Sequence, residues 1–405
     1  MREVLIAGGG LVGASLALAV ADAGWQVLLV DPSEPSYLPS RAGFDLRVSA
    51  LSAGNRDFLA SLGLNEEQLG HPWHGMHVEA EEAADCIDFR SAELWPSDDR
   101  AGATPLGSLA ENGRLVTGLW ALMRAHSKIE VRVGAGIETI GDGSVQIGEE
   151  SLTPQLLVGA DGAQSAVRRL TGGRTWSLAP GQRALVTVVS SKPGRGFKPA
   201  APQSDAPGPS EIAWQRFLPT GPLAFLPLGE RDGRLLHSIV WSCPEEMAAS
   251  LLAGDEAAFV QRLGMAADGA FDELQVMDER VSFPLAQRLA TGYLPRARVV
   301  LVGDAAHVVH PLAGQGANMG LRDARLLADT LSTARCARCD AGDSGFLRDF
   351  ERRAAADNLT MALGIAGQQS LWNAGGALAW LRKRGLAVLR DAGVPRAAVL
   401  RTAAR

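Results

Sequence analysis

The chain contains 405 residues, 46% of them hydrophobic and 21% charged, with a formal net charge of −6. Such a length exceeds one simple core and calls for two or three lobes, and the acidic balance, without a basic block interleaved with aromatics, excludes a nucleic-acid partner. No apolar run reaches the roughly 18 residues that a membrane-spanning helix needs, and Met1-Arg2-Glu3 leads straight into an apolar segment with no room for a signal peptide, so a cytoplasmic location is expected.

Glu3-Val4-Leu5-Ile6-Ala7 reads as a short buried strand. It runs into Gly8-Gly9-Gly10-Leu11-Val12-Gly13, in which Gly8, Gly10 and Gly13 satisfy G-x-G-x-x-G. Leu16, Ala17, Val20 and Ala21 then form a helical stripe that Gly24 stops, and a second strand over residues 26–30 ends at Asp31. Strand, turn, helix, strand and acid in that order spell a dinucleotide fold, with Asp31 placed to accept hydrogen bonds from a ribose. A glycine turn that merely packs a helix on a sheet is the alternative. His71, His74 and His77 recur at every third position. On a strand that spacing alternates faces, so they read as loop and strand histidines and not as metal ligands.

Residues 155–160 form another apolar strand, running into Asp161-Gly162 and on to Arg168. Alone, this reads equally well as an Asp-Gly turn with no chemistry. Residues 183–189 and 235–241 read as strands of an antiparallel sheet. Between them, the Pro/Gly/Ser-rich stretch 191–211 cannot bury much apolar surface and reads as a mobile loop. Residues 298–302 form a further buried strand, and Gly303-Asp304 puts a carboxylate at its carboxyl end, where α/β sheets bind ligands. Pro311, Gly314 and Gly316 mark a turn before a helical pattern from about Ala317. Such glycines let backbone N–H groups approach a ligand, and a helix N-terminus stabilises negative charge of the kind a reduced flavin carries.

Cys86, Cys243, Cys336 and Cys339 fit a reducing compartment. Cys336-x-x-Cys339 lacks a second pair and reads as incidental. Residues 382–405 carry Arg382, Lys383, Arg384, Arg390, Arg396, Arg401 and Arg405 against Asp391, after Leu371, Trp372 and Trp380. Two readings stay open: an interfacial helix on an anionic membrane surface, or a helix packed on the first lobe with a solvated basic face.

Gly8–Gly13, Arg47-Val48-Ser49-Ala50-Leu51, Glu111-Asn112 with Leu115, Gly159–Arg168, Ala213–Leu228 and His310–Asn318 together carry a family likeness. The chain resembles the FAD-dependent aromatic hydroxylases shaped like para-hydroxybenzoate hydroxylase, and is most similar to the ubiquinone-biosynthesis hydroxylases among them. The likeness spans residue 3 to about residue 330. It implies an α/β fold with a Rossmann-like FAD-binding domain from residues 1–70, 100–175 and 280–335. Inserted in it would be an antiparallel-sheet substrate domain from 71–99 and 176–279, followed by a C-terminal helical region over 336–405.

Carried over by position, the resemblance places Gly8, Gly10, Leu11, Val12 and Gly13 under the pyrophosphate of FAD and Asp31 on the adenosine ribose. Arg47 would lie by the pyrophosphate or ribityl chain with Asn112 nearby, and Gly303 and Asp304 would hold the ribityl and phosphate region. Pro311, Gly314, Gln315, Gly316, Ala317 and Asn318 would line the isoalloxazine ring, the first four forming the catalytic loop. Asp161 would serve both FAD and NAD(P)H. The implied chemistry is reduction of FAD by NAD(P)H, addition of O₂ to give a flavin C4a-hydroperoxide, and transfer of an OH equivalent to an electron-rich ring.

The implied substrate is a polyprenylated phenol or quinol precursor of ubiquinone, with O₂ as co-substrate and no metal. Trp214, Phe217, Leu218, Phe225 and Leu226 either wall that ring or form ordinary sheet core. His310 is a candidate general base by proximity alone. The stretch 191–211 is longer than the family pattern and bears on substrate access. A related hydroxylase of a small soluble aromatic is the first alternative, and a flavin oxidase or dehydrogenase without oxygen insertion the second. Peripheral association with the inner face of a membrane, or with a biosynthetic complex, is a further expectation.

Overall fold

The computed structural model describes residues 3–79, 86–93, 104–178, 181–194, 197, 207–309 and 315–373, without the side chains of residues 92, 315 and 359–373. The first half runs β1 Val4–Ala7, α1 Leu11–Asp22, β2 Val27–Asp31, β3 Val48–Ser52, β4 His71–Trp73, β5 Gly75–Glu79, β6 Cys86–Arg90, β7 Gly107–Glu111, α2 Asn112–Ala125, β8 Ile129–Val133 and β9 Leu156–Gly159. Then follow β10 Gln182–Pro193, β11 Ile212–Leu218, β12 Gly221–Arg231, β13 Arg234–Pro244, α3 Glu245–Ala253, α4 Glu256–Ala267, β14 Phe271–Val276, β15 Val281–Pro284, β16 Val299–Leu301, α5 Gln315–Cys336 and α6 Ser344–Asn373.

A five-stranded sheet in the order β16-β9-β1-β2-β8 organises the first lobe. Its pairings are parallel, with Val4 opposite both Leu156 and Val27. All four residues of β1 and of β9 are buried, as strands covered on both faces require. α1 packs against α5 and α2. A β1–α1–β2 unit with its acid at the end of β2 is the arrangement expected from the glycine spacing.

The second lobe is a larger, mainly antiparallel sheet in the order β14-β10-β13-β12-β11-β5-β6, with β15 also paired to β10. β5 joins β11 in parallel, Trp214 opposite His77. The strands expected at 183–189 and 235–241 are β10 and β13, paired antiparallel with Val186 opposite Val240. His71–Trp73, expected in this lobe, pairs instead with β7 in a small β3-β7-β4 sheet. The larger sheet therefore takes up the chain only from Gly75.

One face of that sheet carries a core with α3 and α4, containing Trp214, Phe225, Ile239, Trp241, Phe259 and Phe271. His237 lies in the same layer, its ring 4.9 Å from that of Phe271 and 5.7 Å from that of Phe225, and its Nε2 has no hydrogen-bond partner. Complete burial pushes the imidazole down to about 3. Between an unfolded value of about 6.5 and that folded value, the unfolded chain binds a proton that the folded chain refuses, so stability falls as pH drops. By about pH 5 the loss is roughly 2 kcal/mol. His237→Leu is expected to flatten this slope, read as urea midpoints at neutral and acidic pH; an unchanged slope would exclude His237 as its cause.

Among the described residues no group of three or more His, Cys, Asp or Glu side chains is placed to hold a metal ion, and the three histidines go separate ways. His71 Nε2 pairs with the Ser210 carbonyl at 2.9 Å. His77 is held between Asp88 at 2.6 Å and Glu79 at 2.8 Å. Burial opposes its charge, but those two carboxylates prevail and raise the imidazole to about 9. Cys336 closes α5 and Cys339 follows it, both as free thiols.

Candidate active site

One cavity of about 690 Å³ joins the two lobes. Its first wall comes from the first lobe: Gly10, Leu11 and Val12 at the start of α1, Arg47 before β3, Asn112 at the start of α2, Asp304 after β16, and Gly316 and Ala317 at the start of α5. Its opposite wall is the face of the larger sheet turned away from α3 and α4, with Val186, Gln215, Ala224, Leu226, Ser238, Val240, Ser242 and Phe283.

The first wall is built to accept anions. α1 starts at Gly10 with no side-chain cap and no acidic residue in its first turn, and α5 likewise has no acidic residue in its first turn. The first N–H groups of each helix lack intrahelical partners, and the positive dipole end attracts negative charge. The two termini lie side by side, since a Cβ on Gly303 would stand 3.2 Å from Val12, and one on Gly320 would strike Val12 as well. The exposed Arg47 guanidinium makes no hydrogen bond or ion pair among the described residues and faces the cavity.

The first turn owes its shape to close approach. Gly8 has φ +101°, and a Cβ there would overlap the Ala160 carbonyl. A Cβ on Gly13 would overlap the Gly8 carbonyl. Neither residue lines the cavity; both lie behind its wall and let α1 sit tightly on β1. Asp31 also stands behind the wall, its Oδ2 accepting from Gly9 N at 2.6 Å and its Oδ1 from Ser33 N at 2.9 Å.

The remaining expected site residues divide between wall and support. Asp304 opens into the cavity, where the surrounding protein raises its pKa above the ordinary carboxylate value, against opposing pulls from His307 and Arg47. Asn112 accepts from Ser49 Oγ at 2.6 Å. Asp161 spends its carboxylate on Ser165 and on the N–H groups of Ala166 and Val167, capping the short helix Ala166–Leu170. Asn318 is buried, donating to the Ala50 carbonyl at 2.7 Å and accepting from Ser52 N at 2.9 Å. Its side chain thus ties α5 to β3 and is spent on protein partners. Gln315 opens α5; His310, Pro311 and Gly314 lie outside the described residues.

Sequence reasoning missed the supports behind Asp304. His307 Nε2 meets Asp323 Oδ2 at 2.6 Å, both groups buried, and the same oxygen accepts from Gly303 N at 2.9 Å. Asn358 donates to Asp323 Oδ1 at 2.9 Å. Burial pulls the His307 pKa down, but the Asp323 carboxylate and its hydrogen bond, with Asp304, outweigh this and raise it. Arg168 bridges the carbonyls of Ala305 and Ala163, joining the Asp161 and Asp304 turns. Trp120 Nε1 donates to the Gly9 carbonyl at 2.7 Å from beneath the first turn. Arg168 closes the quoted Gly159–Arg168 motif, and Asp323 lies on α5 beyond the quoted His310–Asn318; a charged residue among the buried positions of a helical pattern was the available signal.

Of the five apolar residues offered for the substrate pocket, only Leu226 lines the cavity. Trp214 and Phe225 belong to the opposite core, with Leu218 packed against it. Phe217 packs with Val78 and Ile87 in a separate cluster. Side chains alternate along a strand, so Gln215 and Ala224 face the cavity where Trp214 and Phe225 do not.

Residues 134–357 match the FAD binding domain family. The chain is 31% identical to the 3-demethoxyubiquinol 3-hydroxylase of Escherichia coli (strain K12), over 97% of this chain and 95% of that one. It belongs to the FAD-dependent ubiquinone-biosynthesis hydroxylases. Human mitochondrial ubiquinone biosynthesis monooxygenase COQ6 is a further relative, 29% identical over 89% of this chain and 83% of that one. The fold is shared with p-nitrophenol 4-monooxygenase PnpA from Pseudomonas putida DLL-E4, at a TM-score of 0.73 and 19% identity, covering 100% of this chain and 96% of that one. The family's cofactor is FAD with NAD(P)H as reductant, and its members are flavin monooxygenases. The cavity suits that cofactor: it combines two helix starts free of acidic residues in their first turns, an unpaired arginine and an acid at a strand end, which match a pyrophosphate and a polyhydroxyl chain.

Proposed function

We propose that this chain hydroxylates the ring of a polyprenylated phenol or quinol on the route to ubiquinone. The observation that carries this reading is the continuity of the cavity from Arg47 and Asp304 to the face of the larger sheet. FAD would lie along the first wall, over Gly10, Leu11 and Val12 and beside Arg47, Asn112 and Asp304, with its ring toward Gly316 and Ala317. Asp31 and Asp161 would act from behind, by fixing the turns that shape the wall. Residues 1–70, 100–175 and 280–335 would form the cofactor lobe, with the substrate lobe inserted from Gly75 to 99 and over 176–279; a helical region follows from 336, and residues 374–405 lie outside the described residues.

Bound FAD supplies the redox chemistry, taking electrons from NAD(P)H and activating O₂ for insertion into an electron-rich ring. The chain's own work is positional and electrostatic. The starts of α1 and α5 stabilise negative charge at the cofactor. Asp304 accepts hydrogen bonds from the cofactor's hydroxyl chain. The sheet wall, with Val186, Ala224, Leu226, Val240 and Phe283, holds the ring and keeps water from it.

Among the described residues no helix is long and apolar enough to cross a membrane. A prenyl tail partitions into bilayers, and the basic segment 382–405, outside the described residues, would bring the chain to an anionic surface where such a substrate resides. Asp304→Ala tests the cofactor placement. Losing an acceptor for charged hydrogen bonds is expected to weaken FAD about ten- to a hundred-fold, leaving folded protein without yellow colour on purification. Wild-type flavin content in that variant would overturn the placement.

A further inference from the structure

The cavity face of the larger sheet holds three polar side chains that nothing in the fold requires. Gln215 is 5% exposed and Ser238 and Ser242 are each 2% exposed, yet none of their side chains makes a hydrogen bond among the described residues. All three line the cavity. Their polar atoms open onto the cavity and are spent on no protein partner, so a ligand's polar atoms can take up the bonding there in place of water.

Strand register fixes how these groups are arranged. Gln215 stands opposite Ala224, Ala224 opposite Val240, and Val240 opposite Val186. Ser238 and Ser242 flank Val240 on the same face of β13. Adjacent strands lie about 4.8 Å apart, so Gln215 and the serine strand are separated by about 10 Å. Small Ala224 forms the floor between them. That space seats one flat ring with an oxygen substituent toward each edge. An amide and two hydroxyls are neutral, and each both donates and accepts, which matches ring hydroxyl or ether oxygens.

We propose that Gln215, supported by Ser238 and Ser242, is the specificity-determining group that recognises the hydroxyl of a neutral aromatic substrate and orients its ring toward the cofactor. This rests on the hydroxylase reading given above and deepens it. Gln215 binds substrate and lies across the cavity from the residues proposed to hold FAD.

The test uses the FAD-loaded enzyme and two probes: a phenol bearing a short alkyl chain, and the alkylbenzene that lacks only the hydroxyl. Binding is read from the perturbation of the flavin absorbance. Wild type is expected to bind the phenol about ten-fold more tightly than the alkylbenzene, and Gln215→Leu to lose that preference while retaining wild-type flavin content and alkylbenzene affinity. A wild type that binds both probes equally would overturn the proposal without recourse to any variant, as would a folded Gln215→Leu that keeps the full preference. A wild type that binds neither probe would contradict the hydroxylase reading itself, and the role of Gln215 with it.

Discussion

Gly13→Ala is expected to produce protein that holds little or no FAD and unfolds more easily than wild type by about 1–3 kcal/mol. A single added methyl would overlap the Gly8 carbonyl and stand 3.1 Å from the Ala160 Cβ. Neither neighbour can withdraw: Gly8 N is bonded to Val30 O and Ala160 N to Ala7 O, both inside the parallel sheet. The methyl therefore lifts α1 from β1. Its first N–H groups move away from the position a pyrophosphate would occupy, so fold and cofactor affinity fail together. Gly10→Ala provides the contrast, because a Cβ there meets nothing within 4 Å. That variant is expected to keep wild-type stability. Equal melting temperatures and flavin contents for Gly13→Ala and wild type would refute the tight-turn account.

The second large effect is expected at Asp323. Asp323→Ala removes the carboxylate that partners the buried His307, and breaking a buried pair by deleting one member costs about 3–5 kcal/mol. It also strips the acceptor from Gly303 N and Asn358 Nδ2. The Asp304 turn loses its support, so flavin content is expected to fall although Asp323 itself does not line the cavity. The sign of the pH dependence follows from the raised His307 pKa. The stabilisation is complete below the unfolded value of about 6.5 and is lost as pH rises through the raised folded value. In Asp323→Asn that decline should disappear. Denaturant midpoints across neutral to alkaline pH read it directly; an identical decline in the variant would sink the pairing argument.

What could be read from the chain beforehand was whatever depends on local period and glycine geometry. Four consecutive apolar residues ahead of G-x-G-x-x-G and an acid closing the next apolar run suffice for β1, α1 and β2, because each element is specified by its own residues. The Gly303-Asp304 turn was legible for the same reason. The roles of Asn318 and Asp161 were less so. Both sit in diagnostic motifs, yet their side chains are spent on β3 and on a helix start, which only the packed structure reveals.

The substrate wall was least legible. Nearly every residue of β11 is buried, on both faces of the sheet, so hydrophobicity cannot say which face meets the cofactor. The large aromatics drew attention, but they fill the core beneath α3 and α4, while the smaller and more polar residues face the cavity. Asp323 and His307 lie 16 residues apart and meet only because the chain turns back through α5. Pairings of that kind leave no periodic trace.

The most direct test of the central claim is a turnover of FAD-loaded enzyme with NAD(P)H, a phenol bearing a short prenyl chain, and isotopically labelled O₂, followed by mass analysis of the ring product. Label in a new ring hydroxyl is the predicted result. An intact ring that is demonstrably bound, with all of the label recovered as hydrogen peroxide, would contradict it.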